Sequence, residues 1–174
     1  MEIKILEQSD TRLQECYRLR YQIYCAEKKW LTATDYPKQM ETDEYDEQSL
    51  HIAMFSDNKL EAYCRLILPQ PKDLPIKEHI NVDFERDKCI EISRFIVADQ
   101  KLGLNAHIEM FTFISHYLAE HGYVYALASV EKPLLRIIRM YGMDVQTLSK
   151  PMYYFGGLLT PIYIHVFDKL EEEE

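Results

Sequence analysis

A carboxylate and a guanidinium stand three residues apart inside an apolar run of this chain. Residues 89–97 read Cys-Ile-Glu-Ile-Ser-Arg-Phe-Ile-Val, which places Glu91 and Arg94 among aliphatic, β-branched and aromatic neighbours. Such a run predicts a buried central strand. Unpaired charges in an apolar setting cost several kcal/mol, so they persist where they are partnered or where they serve chemistry. Positions i and i+3 of a regular strand face opposite sides of the sheet, so these two groups share a site only if the strand bulges between them. Four further charges sit in apolar or aromatic contexts: Arg20, Asp43, Asp46 and Arg65. Together the six make three acids and three bases, a set that can neutralise itself when partly buried. That balance suits a structural network as well as a catalytic one.

The elements that must hold these groups follow from periodicity. Residues 2–7 alternate as a first strand. Asp10 or Thr11 caps a helix reaching to about residue 29, with Leu13, Cys16, Tyr17, Arg20, Ile23 and Tyr24 at helical spacing. Residues 30–48 are polar, broken by Pro37, and form a loop that carries the lone tryptophan, Trp30, and the acids Asp43 and Asp46. Two strands, 50–55 and 60–68, flank the turn Ser56-Asp57-Asn58-Lys59, and Arg65 lies in the second. Residues 69–87 contain three prolines and predict a long surface connection to the Glu91 strand.

Residues 104–121 form an amphipathic helix closed by Gly122. A strand over 123–129 and a helix opened by Pro133 and ended by Gly142 follow, then closing strands at 145–148 and 162–167. The β-α-β-β-β-α-β-α-β-β order predicts an α/β fold, a mixed sheet with helices on both faces.

At 174 residues and 47% hydrophobic content, one domain over 1–174 is expected. The formal charge of −9 argues against a general nucleic-acid binder. No apolar run reaches membrane-spanning length, and the charged N-terminus has no signal-like core. Cys16, Cys25, Cys64 and Cys89 form no CxxC pair and read as reduced core thiols of a cytoplasmic protein. No HExxH and no Cys/His cluster suggests a metal, and His116 and His121 read as surface residues. The Glu171–Glu174 run reads as a solvated tail.

Several spaced blocks resemble the acyl-homoserine-lactone synthases, the autoinducer synthases of bacterial quorum sensing, and the related N-acyl amino acid synthases. The blocks are Arg20-x3-Tyr24-x5-Trp30, Asp43-x2-Asp46, Arg65 in Cys-Arg-Leu, and Glu91-Ile92-Ser93-Arg94-Phe95, with a further stretch at residues 134–142. Tyr24 departs from the usual Phe, and the chain is shorter at its C-terminus than typical members. The resemblance implies a GNAT-like acyltransferase fold, a three-layer α-β-α sandwich around a mixed, mostly antiparallel sheet. Ordinary GNAT enzymes hold a CoA pyrophosphate with paired glycines after this strand. Residues 97–106 carry only Gly103, in keeping with an acyl carrier protein as donor.

The implied reaction moves a fatty acyl group from acyl carrier protein to the amine of S-adenosylmethionine, a substrate rather than a cofactor, and closes a lactone with loss of methylthioadenosine. An N-acyl amino acid synthase and a non-catalytic acyl-binding protein are the alternatives.

By the same resemblance Glu91 is the base, acting through a water, and the backbone around a bulge at Ser93 supplies oxyanion donors beside Arg94. Asp43 and Asp46 would orient a cationic acceptor, Trp30 and Tyr24 would face its cation, and Arg20, Arg65 and Arg94 would pin carboxylates. Taken alone, Trp30 also suits a core anchor, and the two aspartates suit loop caps. Ser129 either lines the acyl pocket or merely ends its strand. Lys132, Arg136 and Arg139 fall at i, i+4 and i+7 and, with Lys150, offer a basic face for an acidic carrier protein, or a solvated helix face.

Overall fold

The computed structural model describes residues 1–99 and 103–166. Eight strands of this region form one sheet: β1 (Glu2–Leu6), β2 (Ser49–Ser56), β3 (Lys59–Ile67), β4 (Cys89–Val97), β5 (Tyr125–Val130), β6 (Val145–Thr147), β7 (Met152–Tyr154) and β8 (Gly157–His165). Their order is β1-β2-β3-β4-β5-β8-β6, with β7 attached to β8. Three α-helices complete the frame: α1 (Leu13–Tyr21), α2 (Gly103–Glu120) and α3 (Lys132–Met140). Among the described strands only β4 and β5 pair in parallel, as the α2 crossover between them requires.

Alternation along the strands sorts the core into two faces. Ile52, Met54, Cys64, Leu66, Ile90 and Ala126 meet α2. Their neighbours Ala53, Phe55, Tyr63 and Ile96 meet α1 through Leu13 and Cys16. Helix α3 packs Leu135 and Ile138 beside α2, against Ala128, Val130 and Ile162. The result is the expected sandwich: α1, sheet, then α2 with α3.

Four local features differ from the sequence expectation. The α-helix stops at Tyr21 and continues as a π-helix over Gln22–Glu27, a wider turn that often marks functional sites. The 69–87 connection is not all surface: Leu74 and Ile76 are buried against Ile67, Cys89 and Leu127. Strand β7 was not apparent from the pattern. Strand β8 begins at Gly157, five residues before the expected start, and runs through Pro161. That proline sits where β8 changes partner from β7 to β6, a break at which its missing N–H costs little. The acidic tail and Phe167 lie outside the described residues.

Candidate active site

The strand bulges as a shared site for Glu91 and Arg94 requires, but at Arg94–Phe95 rather than at the expected Ser93, which pairs with Arg65. Ser93 faces Arg65 and Ile96 faces Tyr63, so Arg94 and Phe95 together oppose the single residue Cys64. Arg94 takes the left-handed conformation, φ +54°, uncommon for a non-glycine residue and here within a strand. The bulge brings its guanidinium to the α1 side of the sheet, where Glu91 and Ser93 also point. On the other edge of β4, pairing with β5 ends at Ile92–Ala128 although both strands run on. The parted strands open the sheet.

On the α1 side the charges form one closed cluster. Arg20 is fully buried and donates from Nε to Glu41 at 2.6 Å and from Nη1 to Asp46 at 2.6 Å. Arg65 clasps Asp43 through both terminal nitrogens at 2.6 and 2.9 Å, reaches Asp46 at 2.8 Å, and donates Nε to the Ser93 hydroxyl at 2.8 Å. Arg94 clasps Glu41 at 3.0 Å through Nε and Nη2, and Nη2 also reaches Asp43 at 3.1 Å. Bidentate charge-assisted bonds of this kind fix orientation as well as energy.

Burial works against ionisation of Glu41, but the Arg20 and Arg94 guanidiniums outweigh it and hold the carboxyl down at about 2. Asp46 is likewise kept well below the usual carboxylate range by Arg20 and Arg65 against the cost of burial. Behind the cluster, buried His51 hydrogen-bonds Tyr63 at 2.8 Å and the Asp46 carbonyl at 3.1 Å, and burial lowers its pKa.

Glu41 is the third acid of this cluster, not Glu91. Its backbone N–H donates to the Tyr17 carbonyl, which ties the loop onto α1. Glu91 stands apart, 3% exposed, with no ion pair among the described residues. One oxygen, Oε2, accepts the Ile76 N–H at 2.8 Å. Burial pushes its pKa up to about 7, opposed by that N–H and by Arg65 and Arg94. No buried side-chain nitrogen or oxygen among the described residues lacks a partner, and no hydrogen bond among them uses Glu91 Oε1 or Arg94 Nη1. Both atoms are therefore open to contact from the cavity without breaking a bond in the protein. Every other guanidinium nitrogen of Arg20, Arg65 and Arg94 is engaged.

A cavity of about 520 Å³ joins the two faces through the gap between β4 and β5. Glu91, Arg94, Asp43 and Arg65 line it on the α1 side, and Phe111, Ile114, Ala128 and Ile138 line it between α2, α3 and the sheet. One end is charged and the other apolar. Ser129 lines the gap.

Tyr24 is buried and stacks on Trp30 at 5.9 Å, and Trp30 carries the Lys28 ammonium 4.3 Å from its ring centroid. Arg20 and Asp46 lie behind the wall rather than on it. Lys132, Arg136, Arg139 and Lys150 are all exposed and away from the cavity. Among the described residues no group of three or more His, Cys, Asp and Glu is arranged to hold a metal ion. No helix among them is long and apolar enough to cross a membrane.

The sequence pattern missed Glu41, which lies in a polar loop where one more acid carries no signal. It also missed Phe155 at the β7–β8 turn, which nothing local distinguishes. His51 was detectable by the criterion that found Arg65: a polar residue inside an apolar strand.

A mixed sheet splayed between two parallel strands, with a cavity running through the gap, is a GNAT-like fold. Residues 15–155 match the family described as N-acyl amino acid synthase FeeM, and the chain belongs to that family. No curated protein matches it by sequence.

Among solved structures, the fold is similar to that of the CoA-dependent acyl-homoserine lactone synthase BjaI, solved with SAM and isopentyl-CoA. That likeness has a TM-score of 0.73 at 17% identity over 89% of this chain and 76% of that one. It is similar also to the AHL synthase LasI, with a TM-score of 0.76 at 18% identity over 95% and 89% of the two chains. FeeM, an N-acyl amino acid synthase from uncultured soil microbes, has a TM-score of 0.60 at 14% identity over 96% and 90%. At these identities the structural likeness establishes the fold. The family match makes the chain an acyltransferase.

Proposed function

We propose that this protein transfers a fatty acyl group from a carrier thioester to the α-amine of an amino acid, releasing the free thiol and an N-acyl amino acid. The observation that carries the reading is the pair of unclaimed atoms at the gap. Glu91 Oε1 is a carboxylate oxygen of near-neutral pKa, suited to remove a proton from an attacking ammonium or amine, directly or through one water. Arg94 Nη1 is a guanidinium donor suited to the acceptor's carboxylate. Asp43, partly exposed on the cavity wall, attracts the acceptor's ammonium. The acyl chain lies in the apolar arm between α2 and α3, and its carbonyl sits where the bulge at Arg94–Phe95 frees backbone N–H groups from the ladder to stabilise the oxyanion. Arg20, Asp46, Arg65 and Ser93 hold Asp43, Glu41 and Arg94 in place.

A second reading replaces the amino acid by S-adenosylmethionine, with lactone closure and loss of methylthioadenosine, and would give a quorum-sensing signal. The aromatic group Tyr24, Trp30 and Phe155 beside the charged cluster favours a sulfonium. The Lys28 ammonium already over Trp30 weakens that point. For the donor, the exposed Lys132, Arg136, Arg139 and Lys150 suit an acidic acyl carrier protein, which would place the reaction in the cytoplasm.

The test is turnover with acyl carrier protein and CoA thioesters, each supplied with single amino acids or with S-adenosylmethionine, followed by mass spectrometry. An N-acyl amino acid appearing together with free carrier thiol is the expected result. An acyl-homoserine lactone with methylthioadenosine moves the assignment to the second reading. Loss of no thioester with any acceptor refutes both and leaves an acyl-binding protein.

A further inference from the structure

Strands β7 and β8 are joined by two residues, Phe155 and Gly156, with Tyr154 paired to Gly157. Both turn residues have positive φ, +52° and +80°, the signature of a type I′ turn. Asn-Gly or Asp-Gly normally fills such a turn. The β2–β3 hairpin of this chain obeys the preference, with Asp57 and Asn58 at φ +49° and +63°. Phenylalanine has no local hydrogen bond to offset the left-handed conformation and is an outlier there. Strain of this kind is held at functional positions by surrounding structure.

The surrounding structure is tight. A Cβ built on Gly156 or Gly157 would lie 2.3 Å and 2.4 Å from Trp30 atoms, so the turn is wedged against that residue. The wedge delivers the Phe155 ring onto the Arg94 guanidinium, 3.7 Å from Cζ to the ring centroid. The ring's edges meet Tyr24 at 5.4 Å and Trp30 at 6.4 Å. Phe155 lines the cavity.

We propose that Phe155 is a positioning residue: its ring holds the Arg94 guanidinium in the plane that directs Nη1 at the acceptor's carboxylate. The proposal rests on the acyl-transfer reading above and assigns the strained turn to acceptor recognition. Glu41 and Asp43 fix one edge of the guanidinium; of the two rings recorded against it, Phe155 at 3.7 Å is in closer contact than Tyr24 at 5.5 Å and does most to fix its face. A guanidinium held by one edge alone can tilt about that edge, and Nη1 swings furthest.

The test compares Phe155→Asn, which suits the turn and keeps the hairpin closed while removing the ring, with Phe155→Tyr, which keeps the ring. Each is assayed with an amino-acid acceptor and with its methyl ester. Phe155→Asn should raise KM for the free acid by about 3- to 30-fold, the range for a partly desolvated cation–π contact, with kcat little changed. KM for the ester and for the thioester donor should stay within about twofold, and Phe155→Tyr should restore wild-type KM. An equal rise for acid and ester overturns the proposal, because a merely structural ring would not sense the carboxylate.

A readout without turnover runs in parallel. The Arg94 Nε–H proton resonance of the wild type should carry a ring-current shift, most of it from the nearer Phe155 ring, that Phe155→Asn largely removes and Phe155→Tyr keeps. An unchanged resonance in Phe155→Asn overturns the proposal whatever the kinetics. Wild-type protein that acylates no amino acid refutes the acyl-transfer reading instead, and the two failures are told apart by the resonance.

Discussion

Glu91→Gln separates a proton-handling carboxyl from a structural one by stability as well as by turnover. In the folded protein the Glu91 carboxyl titrates near 7, against an ordinary value of 4.5. The folded state therefore binds the proton more tightly than the unfolded chain does. Below about pH 4.5 both states are protonated and burial of Glu91 carries no ionisation penalty. Between pH 4.5 and 7 the unfolded chain has ionised and the folded one has not, so stability falls as pH rises, by about 1.36 kcal/mol per pH unit. Above pH 7 both are ionised and the loss is constant at roughly 3 kcal/mol. Against a total stability of about 5–15 kcal/mol this is large.

Glutamine is nearly isosteric, keeps an oxygen for the Ile76 N–H and cannot ionise. Urea unfolding of the two proteins at a series of pH values should give equal stabilities near pH 4. The variant should gain progressively up to pH 7 and keep a lead of roughly 3 kcal/mol at pH 8. In the same comparison kcat/KM of the wild type should rise with pH through about 7, and the variant should lose about 10²- to 10⁴-fold in turnover. A stability difference that does not vary with pH would refute the reasoning. It would mean that the Glu91 carboxyl is paired, or solvated through the cavity, well enough to offset its burial.

Glu41→Gln should act in the opposite direction. It leaves Arg20 and Arg94 short of a buried counter-charge and should cost about 3–5 kcal/mol in urea unfolding at neutral pH. Because the Glu41 carboxyl is held at about 2, its contribution is present above pH 4.5 and is lost as pH falls towards 2, so the wild type and the variant should converge in acid. Gly157→Ala places a methyl 2.4 Å from Trp30 Cζ2 and should cost about 1–3 kcal/mol, with a shift in the emission of the only tryptophan. Arg136→Glu, on the exposed face of α3, should raise KM for an acyl carrier protein donor and leave a small thioester unaffected; equal effects on both would remove the docking surface.

The parts of this site that the sequence made legible are those where a polar residue interrupts a pattern. Arg20 interrupts an apolar helix face, while Arg65, Glu91 and Arg94 interrupt apolar strands. Each interruption implies a cost that must be met nearby, and the bulge followed from geometry alone because i and i+3 cannot otherwise share a face. Glu41 interrupts nothing: it lies in a polar loop and becomes a buried residue only when the loop folds over α1. Phe155 was invisible for a related reason. An aromatic residue between two short strands reads as core, and its left-handed conformation is imposed by the packing of Gly156 and Gly157 on Trp30. The 69–87 segment misled because its prolines and charges outweigh Leu74 and Ile76, the two residues that bury it and bring an N–H to Glu91.

Counting charges explains why, on the proposed reading, Glu91 rather than Glu41, Asp43 or Asp46 is the carboxyl assigned to the proton. Three guanidiniums meet three carboxylates, Glu41, Asp43 and Asp46, and the contacts among them use every guanidinium nitrogen but Arg94 Nη1. A seventh charge in the same region finds no counter-ion, and a buried carboxylate without one raises its pKa instead of staying ionised. Had the sequence paired Glu91 with Arg94, as their proximity along the strand suggests, both carboxylate oxygens would face a fixed cation and the group would be useless as a base near neutral pH. The excess acid must therefore be the one residue excluded from the cluster. It must also reach the gap between β4 and β5, where an acceptor amine can meet it. Among the described residues Glu91 meets both conditions, because its Oε2 is held by the Ile76 N–H and its Oε1 is left to the cavity.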